Sequence, residues 1–212
     1  MDRLAEALTA LDYAAVAVFG ATGALAAARR KHDIITFGFF AAVTGVGGGT
    51  LRDILIDAPV FWVARPTYVV VCLVAAAVVW VVGPRRFRGS ILTWLDALGM
   101  AAYAVVGALK AGSLGVPPIS AVVMGVLTAT FGGVIRDVLA HEPSVLLRRE
   151  LYVTPALAGA ATYVILGLVG TPTMPAGVAG FALALTLRAG AILWKWSLPG
   201  FGGPLPEDHA DT

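Results

Sequence analysis

Seven long apolar runs constrain this chain more than any other feature of it. They cover roughly residues 11–28, 34–56, 66–83, 91–111, 117–140, 151–170 and 175–194. A helix needs about 20 mostly apolar residues to cross the hydrocarbon core of a bilayer. No water is available there, so a spanning segment must satisfy its own backbone polar groups, which selects helices. Alternating barrel strands do not fit runs this continuous. The expected fold class is therefore an all-α integral membrane protein with seven transmembrane helices. Composition agrees: 58% of residues are hydrophobic and 13% are charged, against about 25% charged in soluble domains. That excludes a water-soluble enzyme and a disordered chain. A net charge of +2 is too small for a nucleic-acid partner. Cys72 stands alone in an apolar run and His32, His141 and His209 are scattered, so neither a disulfide framework nor a metal site is expected. No cofactor is implied.

Residues 1–197 are read as one transmembrane domain, followed by a flexible cytoplasmic tail at 198–212 rich in Gly and Pro. The N-terminal segment lacks a basic region and a clear cleavage site and is expected to be retained. With seven crossings, alternate connections share a side. One side carries Arg29, Arg30, Lys31, Arg85, Arg86, Arg88, Arg148, Arg149 and Lys195; the other carries Arg3, Arg65 and Lys110. The positive-inside rule places the first set in the cytoplasm, the N-terminus outside and the C-terminus inside. These basic clusters are read as setting topology alone, with an anionic-lipid site as the alternative.

The chain also repeats itself at an offset of 84. Residues 11–83 and 95–167 share 22 identities in 73 ungapped positions. The rarer residues decide it. Asp12 matches Asp96, Gly23 matches Gly107, Thr44 matches Thr128, Pro59 matches Pro143, Arg65 matches Arg149 and Tyr68 matches Tyr152. Each unit, about 11–83 and about 95–167, holds three helices. Three is odd, so the second copy enters the membrane from the opposite side. The expectation is an inverted 3+3 repeat with its site between the halves, plus an extra helix at about 175–194.

The most informative matches are Gly48, Gly49, Arg52 and Asp53 with Gly132, Gly133, Arg136 and Asp137. Clustered glycines let a helix bend and free carbonyls, and freed carbonyls in a wet cavity suit cations. They also serve plain close packing of helices. A phosphate loop is a poor fit, because no strand precedes the first string. A charge inside the membrane costs about 2.5–3.5 kcal/mol on insertion scales, so such groups face the bundle interior and find partners. Neighbouring helical residues point about 100° apart, which predicts that Arg52 and Asp53 look for partners on other helices. The symmetry suggests two ion pairs, Asp12–Arg52 and Asp96–Arg136. Lys110 ends the fourth stretch opposite an uncharged Ala26. It is either a snorkelling lysine or a mobile cation at the outer mouth of a pathway. Arg188, in the seventh stretch, is read as snorkelling or structurally paired.

Seven helices, the inverted repeat and the paired Gly-Gly-x-x-Arg-Asp strings resemble the prokaryotic family of TRIC channels, the trimeric intracellular cation channels, also labelled as putative glycine transporters. The resemblance covers about residues 10–195. It implies a homotrimer in a prokaryotic plasma (inner) membrane, an hourglass pore in each subunit, and K+ as the main permeant ion with Na+ also passing. It further implies that Gly48, Gly49, Gly132 and Gly133 are kinks of pore-lining helices. Arg52, Asp53, Arg136 and Asp137 would be charged elements of the pathway, with Asp12 and Asp96 beside them, and Lys110 a gating residue. Animal members carry Lys-Glu-Val where this chain has Leu51-Arg52-Asp53, so phosphoinositide binding is not carried over. Membrane lipids remain expected partners.

Three function classes follow. The first is a passive, modestly selective monovalent-cation channel. The second is a secondary transporter of glycine or another small zwitterion, which the same architecture suits. The third is a structural membrane protein, in which the charges only stabilise.

Overall fold

The computed structural model describes residues 2–83, 90–145 and 150–198, with side chains from residue 9 onward. Among them are eight helices: α1 (Asp2–Arg29), α2 (Ile34–Leu55), α3 (Phe61–Ala64), α4 (Thr67–Val82), α5 (Ser90–Ser113), α6 (Pro118–Leu139), α7 (Val153–Leu168) and α8 (Thr173–Trp194). Five are long and apolar enough to cross a membrane; α4 and α7 are apolar but shorter. The one-turn helix α3 was not expected. It fills the connection that Pro66 separates from α4. The expected tail at 198–212 lies outside the described residues beyond Leu198, as do Arg85, Arg86, Arg88, Arg148 and Arg149.

The exterior is apolar, unlike that of a water-soluble protein, and so is most of the core. Ile35, Val81 and Ile119 are about four-fifths exposed, whereas Arg52, Asp53, Asp96, Arg136, Asp137 and Arg188 are buried. That distribution suits a hydrocarbon solvent, which accepts apolar side chains and rejects unpaired charge. The core itself is built of small residues, with Ala24, Ala27, Ala41, Ala101, Ala104 and Ala129 essentially inaccessible. Helices in lipid gain from close van der Waals approach, which small residues permit.

The offset of 84 reappears in the backbone. The bounds of α2 and α6 differ by 84 at both ends. The turns before them place Lys31 and Gly115 at positive φ, 57° and 79°. The turns after them place Asp57 and His141 there, at 52° and 50°. Asp and His tolerate this left-handed region better than most side chains. In the same turns Ala58 donates to the Asp53 carbonyl and Glu142 to the Asp137 carbonyl, at 2.8 and 2.9 Å.

α2 and α6 cross closely. A Cβ on Gly48 would strike the Thr128 carbonyl oxygen, and one on Gly132 would strike the Thr44 carbonyl oxygen. Position 48 faces 128 while 44 faces 132, so the two helices run antiparallel at the crossing. Beside it Gly23 and Gly107 each lie against a threonine of the same pair, 2.6 Å from Thr44 Oγ1 and Thr128 Oγ1 by the same measure. α8 packs on α7 through an equally close contact of Gly159 with Gly180.

Candidate functional site: two buried ionic clusters

One cluster forms at the end of α2. Arg52 donates from Nε to Asp53 Oδ1 at 2.8 Å, and its terminal nitrogen lies 2.8 Å from the same oxygen. The other carboxylate oxygen, Asp53 Oδ2, accepts the backbone N–H of Phe61 at 3.0 Å and Lys110 Nζ at 2.8 Å. The Phe61 ring packs over Gly49, with Lys110 Nζ 5.6 Å and the Arg52 guanidinium 5.9 Å from its centroid. Both cations thus gain a ring face as well as a carboxylate. Asp12 stands nearby and accepts the Tyr68 hydroxyl at 2.6 Å.

The second cluster repeats the plan at the end of α6. Arg136 Nε donates to Asp137 Oδ1 at 2.9 Å, and the Val145 N–H donates to Asp137 Oδ2 at 2.9 Å. Val145 is the counterpart of Phe61. No lysine stands here, because Ala26 replaces Lys110. Instead Arg136 Nη1 binds Asp96 Oδ1 at 2.6 Å and Thr22 Oγ1 at 3.1 Å. Arg188 of α8 reaches in from the side. It donates to the Leu151 carbonyl at 2.8 Å, lies 3.5 Å from Glu150, and stacks over the Tyr152 ring at 5.2 Å.

Two sequence expectations are corrected here. Arg52 pairs with its neighbour Asp53, and Arg136 with Asp137. The 100° separation applies to Cβ directions; a guanidinium on a long arm swings back across that angle, and the carboxylate is held in place by the returning loop amide. Asp12–Arg52 is also not an ion pair, because Arg52 is spent on Asp53 and Asp12 on Tyr68. The mirror pair Asp96–Arg136 does form. Lys110 is neither snorkelling nor isolated: its ion pair with Asp53 has 29% of the lysine side chain and none of the aspartate exposed. Sequence reasoning missed Tyr68, Thr22, Phe61 and Tyr152. The repeat match of Tyr68 with Tyr152 was the signal for two of them.

A cavity adjoins each cluster. That beside the first is about 420 Å³ and is lined by Thr9, Asp12, Phe61, Tyr68, Lys110 and Ser113, among others. That beside the second is about 40 Å³, and its lining includes Arg29, Thr93, Asp96, Arg136, Val145 and Arg188. Thr93, Asp96, Val145, Ala26 and Arg29 are the 84-residue counterparts of Thr9, Asp12, Phe61, Lys110 and Ser113, so the two cavities are equivalent by sequence. The glycines divide by position. Gly48 and Gly132 sit at the helix crossing. Gly49 lies under Phe61, and Gly133 beside Tyr152 and Asp96. Both helices continue through these positions.

The chain resembles known membrane proteins in sequence and in structure. A family model described as "Glycine transporter" matches the chain twice, at residues 9–84 and 93–167. The inner membrane protein YadS of Escherichia coli (strain K12) is 39% identical over 195 residues, 90% of this chain and 94% of that protein. A membrane protein of Vibrio cholerae is 37% identical, covering 90% of this chain and 81% of that one. Among solved structures, the TRIC trimeric intracellular cation channel orthologue from Rhodobacter sphaeroides is 45% identical. It superposes with a TM-score of 0.86 over 90% of this chain and 99% of that one. A second structure, described for conductance through TRIC cation channels, is 30% identical with a TM-score of 0.82, over 93% of this chain and 98% of that one. The chain therefore belongs to the prokaryotic TRIC family, the sequence family that also carries the glycine transporter description.

Proposed function

We propose that the protein is a monovalent-cation channel, mainly for K+ with modest selectivity. The observation that carries this reading is the pair of equivalent cavities, each backed by a buried Arg-Asp cluster, on either side of the Gly48–Thr128 and Gly132–Thr44 crossing. Residues 1–197 act as one transmembrane domain of seven spanning helices, with α3 as a connection. The antiparallel crossing of α2 and α6 supports an inverted repeat about an axis in the membrane plane. On this reading the cavities are the two vestibules of an hourglass, and α2 and α6 line its neck and bend there at their glycine pairs.

The chemistry follows from the side chains. Asp12 gives the wider vestibule a carboxylate, beside Arg65 and Lys110, at which a cation can pause. Arg52 and Arg136 hold the carboxylates in fixed positions and offset charge, so no site binds an ion too tightly to leave. Lys110 occupies Asp53 Oδ2 and competes with a permeating ion for it. Its release frees a carboxylate oxygen at the mouth, the sense in which Lys110 gates. No ring of aligned filter carbonyls is needed, which keeps selectivity modest. The nine-to-three bias of basic residues supports a cytoplasmic C-terminus and an outer N-terminus. The similarity to named inner membrane proteins and to trimeric channels supports an inner-membrane homotrimer in contact with lipid.

A second reading has the family description behind it: a carrier of glycine or a similar zwitterion, whose amine an Asp and whose carboxylate an Arg would hold. Reconstituted vesicles separate the two. The channel reading expects K+ efflux that is fast, non-saturating and indifferent to glycine. Saturable glycine uptake with slow K+ leakage would replace it with the carrier.

A further inference from the structure

The two halves hold the same three side chains in different arrangements. Asp12, Arg52 and Tyr68 correspond, 84 positions on, to Asp96, Arg136 and Tyr152. In both halves the arginine binds the aspartate that follows it, Arg52 to Asp53 and Arg136 to Asp137; in the first half the tyrosine hydroxyl donates to the other aspartate, at 2.6 Å to Asp12 Oδ2. In the second half the aspartate takes the arginine, at 2.6 Å between Asp96 Oδ1 and Arg136 Nη1. Here the two atoms that would remake the first half's bond are both stranded. Asp96 Oδ2 and the Tyr152 hydroxyl are buried without a hydrogen-bond partner. Buried polar groups without a partner are rare and costly.

Both residues border Gly133. The point a Cβ on Gly133 would occupy is 2.9 Å from the Tyr152 hydroxyl and 3.4 Å from Asp96 Oδ1. Asp96 reaches the tyrosine only by turning off Arg136, and the missing Cβ of Gly133 leaves space between them for that movement. The neighbouring cavities differ in step. Beside the tyrosine-bound aspartate the cavity is about 420 Å³; beside the arginine-bound one it is about 40 Å³.

We propose that this Asp-Arg-Tyr triad is a two-position gate, one in each half. Aspartate on tyrosine is the released position, with a wide cavity. Aspartate on arginine is the locked position, with a narrow one. The structure holds the first half released and the second locked. In the second half the released position would satisfy both orphaned atoms, which offsets the loss of the Asp96–Arg136 bond and brings the two packings toward the similar energies a bistable element requires. Tyr152 is then a positioning residue, whose hydroxyl holds Asp96 only when the inner half opens. This rests on the transport reading and adds to it which side chains change partner.

The test reads accessibility rather than current. Thr93→Cys puts a thiol on the narrow cavity, and the native Cys72 is buried. In nanodiscs a hydrophilic maleimide reaches both faces. Adding Tyr152→Phe should slow Thr93→Cys labelling about tenfold or more, the effect of losing a hydrogen bond to a charged group in the open position only. The melting temperature should stay the same or rise, since an orphaned hydroxyl is removed. Tyr68→Phe should instead slow labelling of Thr9→Cys, at the counterpart position on the wide cavity. Unchanged or faster Thr93→Cys labelling overturns the gate. So does slower labelling with a lowered melting temperature, which would make Tyr152 an ordinary structural residue. A chain that shows the labelling difference and passes no ions would sink the channel reading and leave the gate standing.

Discussion

Phe19 and Tyr103 hold the same position in the two halves, 84 residues apart, and stack on each other with ring centroids 5.3 Å apart and planes 17° apart. A residue that packs on its own counterpart marks where the axis relating two copies would pass. The pair is also where the copies differ, because the Tyr103 hydroxyl donates to the Gly45 carbonyl at 3.2 Å. Phe19→Ala should cost about 3–5 kcal/mol by emptying a buried site. Tyr103→Phe should cost only about 1 kcal/mol. Equilibrium unfolding in detergent micelles checks both, and equal losses would count against the stack as a centre of packing.

The helix crossing predicts a sharp difference among glycines. Gly48→Ala and Gly132→Ala drive a methyl into a backbone carbonyl of the partner helix, where nothing flexible gives way. Each should cost about 1–3 kcal/mol or more. Gly167→Ala in α7 meets open space and should be neutral or stabilising by up to about 1 kcal/mol through helix propensity. Thermal unfolding of the three variants gives the order.

Lys110 should act on transport rather than on folding. Lys110→Gln leaves Asp53 with Arg52 and the Phe61 amide, so the buried carboxylate keeps two partners. The expected result is a severalfold rise in K+ flux at an unchanged melting temperature. A fall in flux would mean that the lysine assists passage instead of competing for Asp53.

The carboxylates between the cations should behave oppositely. Asp53→Asn leaves Arg52 and Lys110 without their shared counter-charge, whereas Asp96→Asn takes one of two carboxylates from Arg136, which keeps Asp137. Breaking a buried pair from one side costs about 3–5 kcal/mol. Asp53→Asn should lose folded protein in extraction and gel-filtration assays, and Asp96→Asn should lose less of it. Arg65→Gln, at an exposed position, should lose none.

The long elements were legible in the sequence because length and apolarity alone specify a membrane helix. The expected runs 34–56 and 117–140 became Ile34–Leu55 and Pro118–Leu139. The short α3 was not legible, since four residues carry no period. The charged clusters were legible as places through their repeated Gly-Gly-x-x-Arg-Asp strings, but their wiring was not. Whether Arg52 turns to Asp12 or to Asp53 depends on where a loop amide returns and on the reach of a flexible side chain. Symmetry predicted Asp96–Arg136 and failed for Asp12–Arg52, because Lys110 has no counterpart and changes which partners the first half needs.

The most direct test is electrical. Purified protein in a planar bilayer with K+ on both sides should show discrete current steps of picoampere size, a flux far beyond any carrier's turnover. Smooth traces without steps, from protein shown to be folded and correctly assembled, would contradict the account.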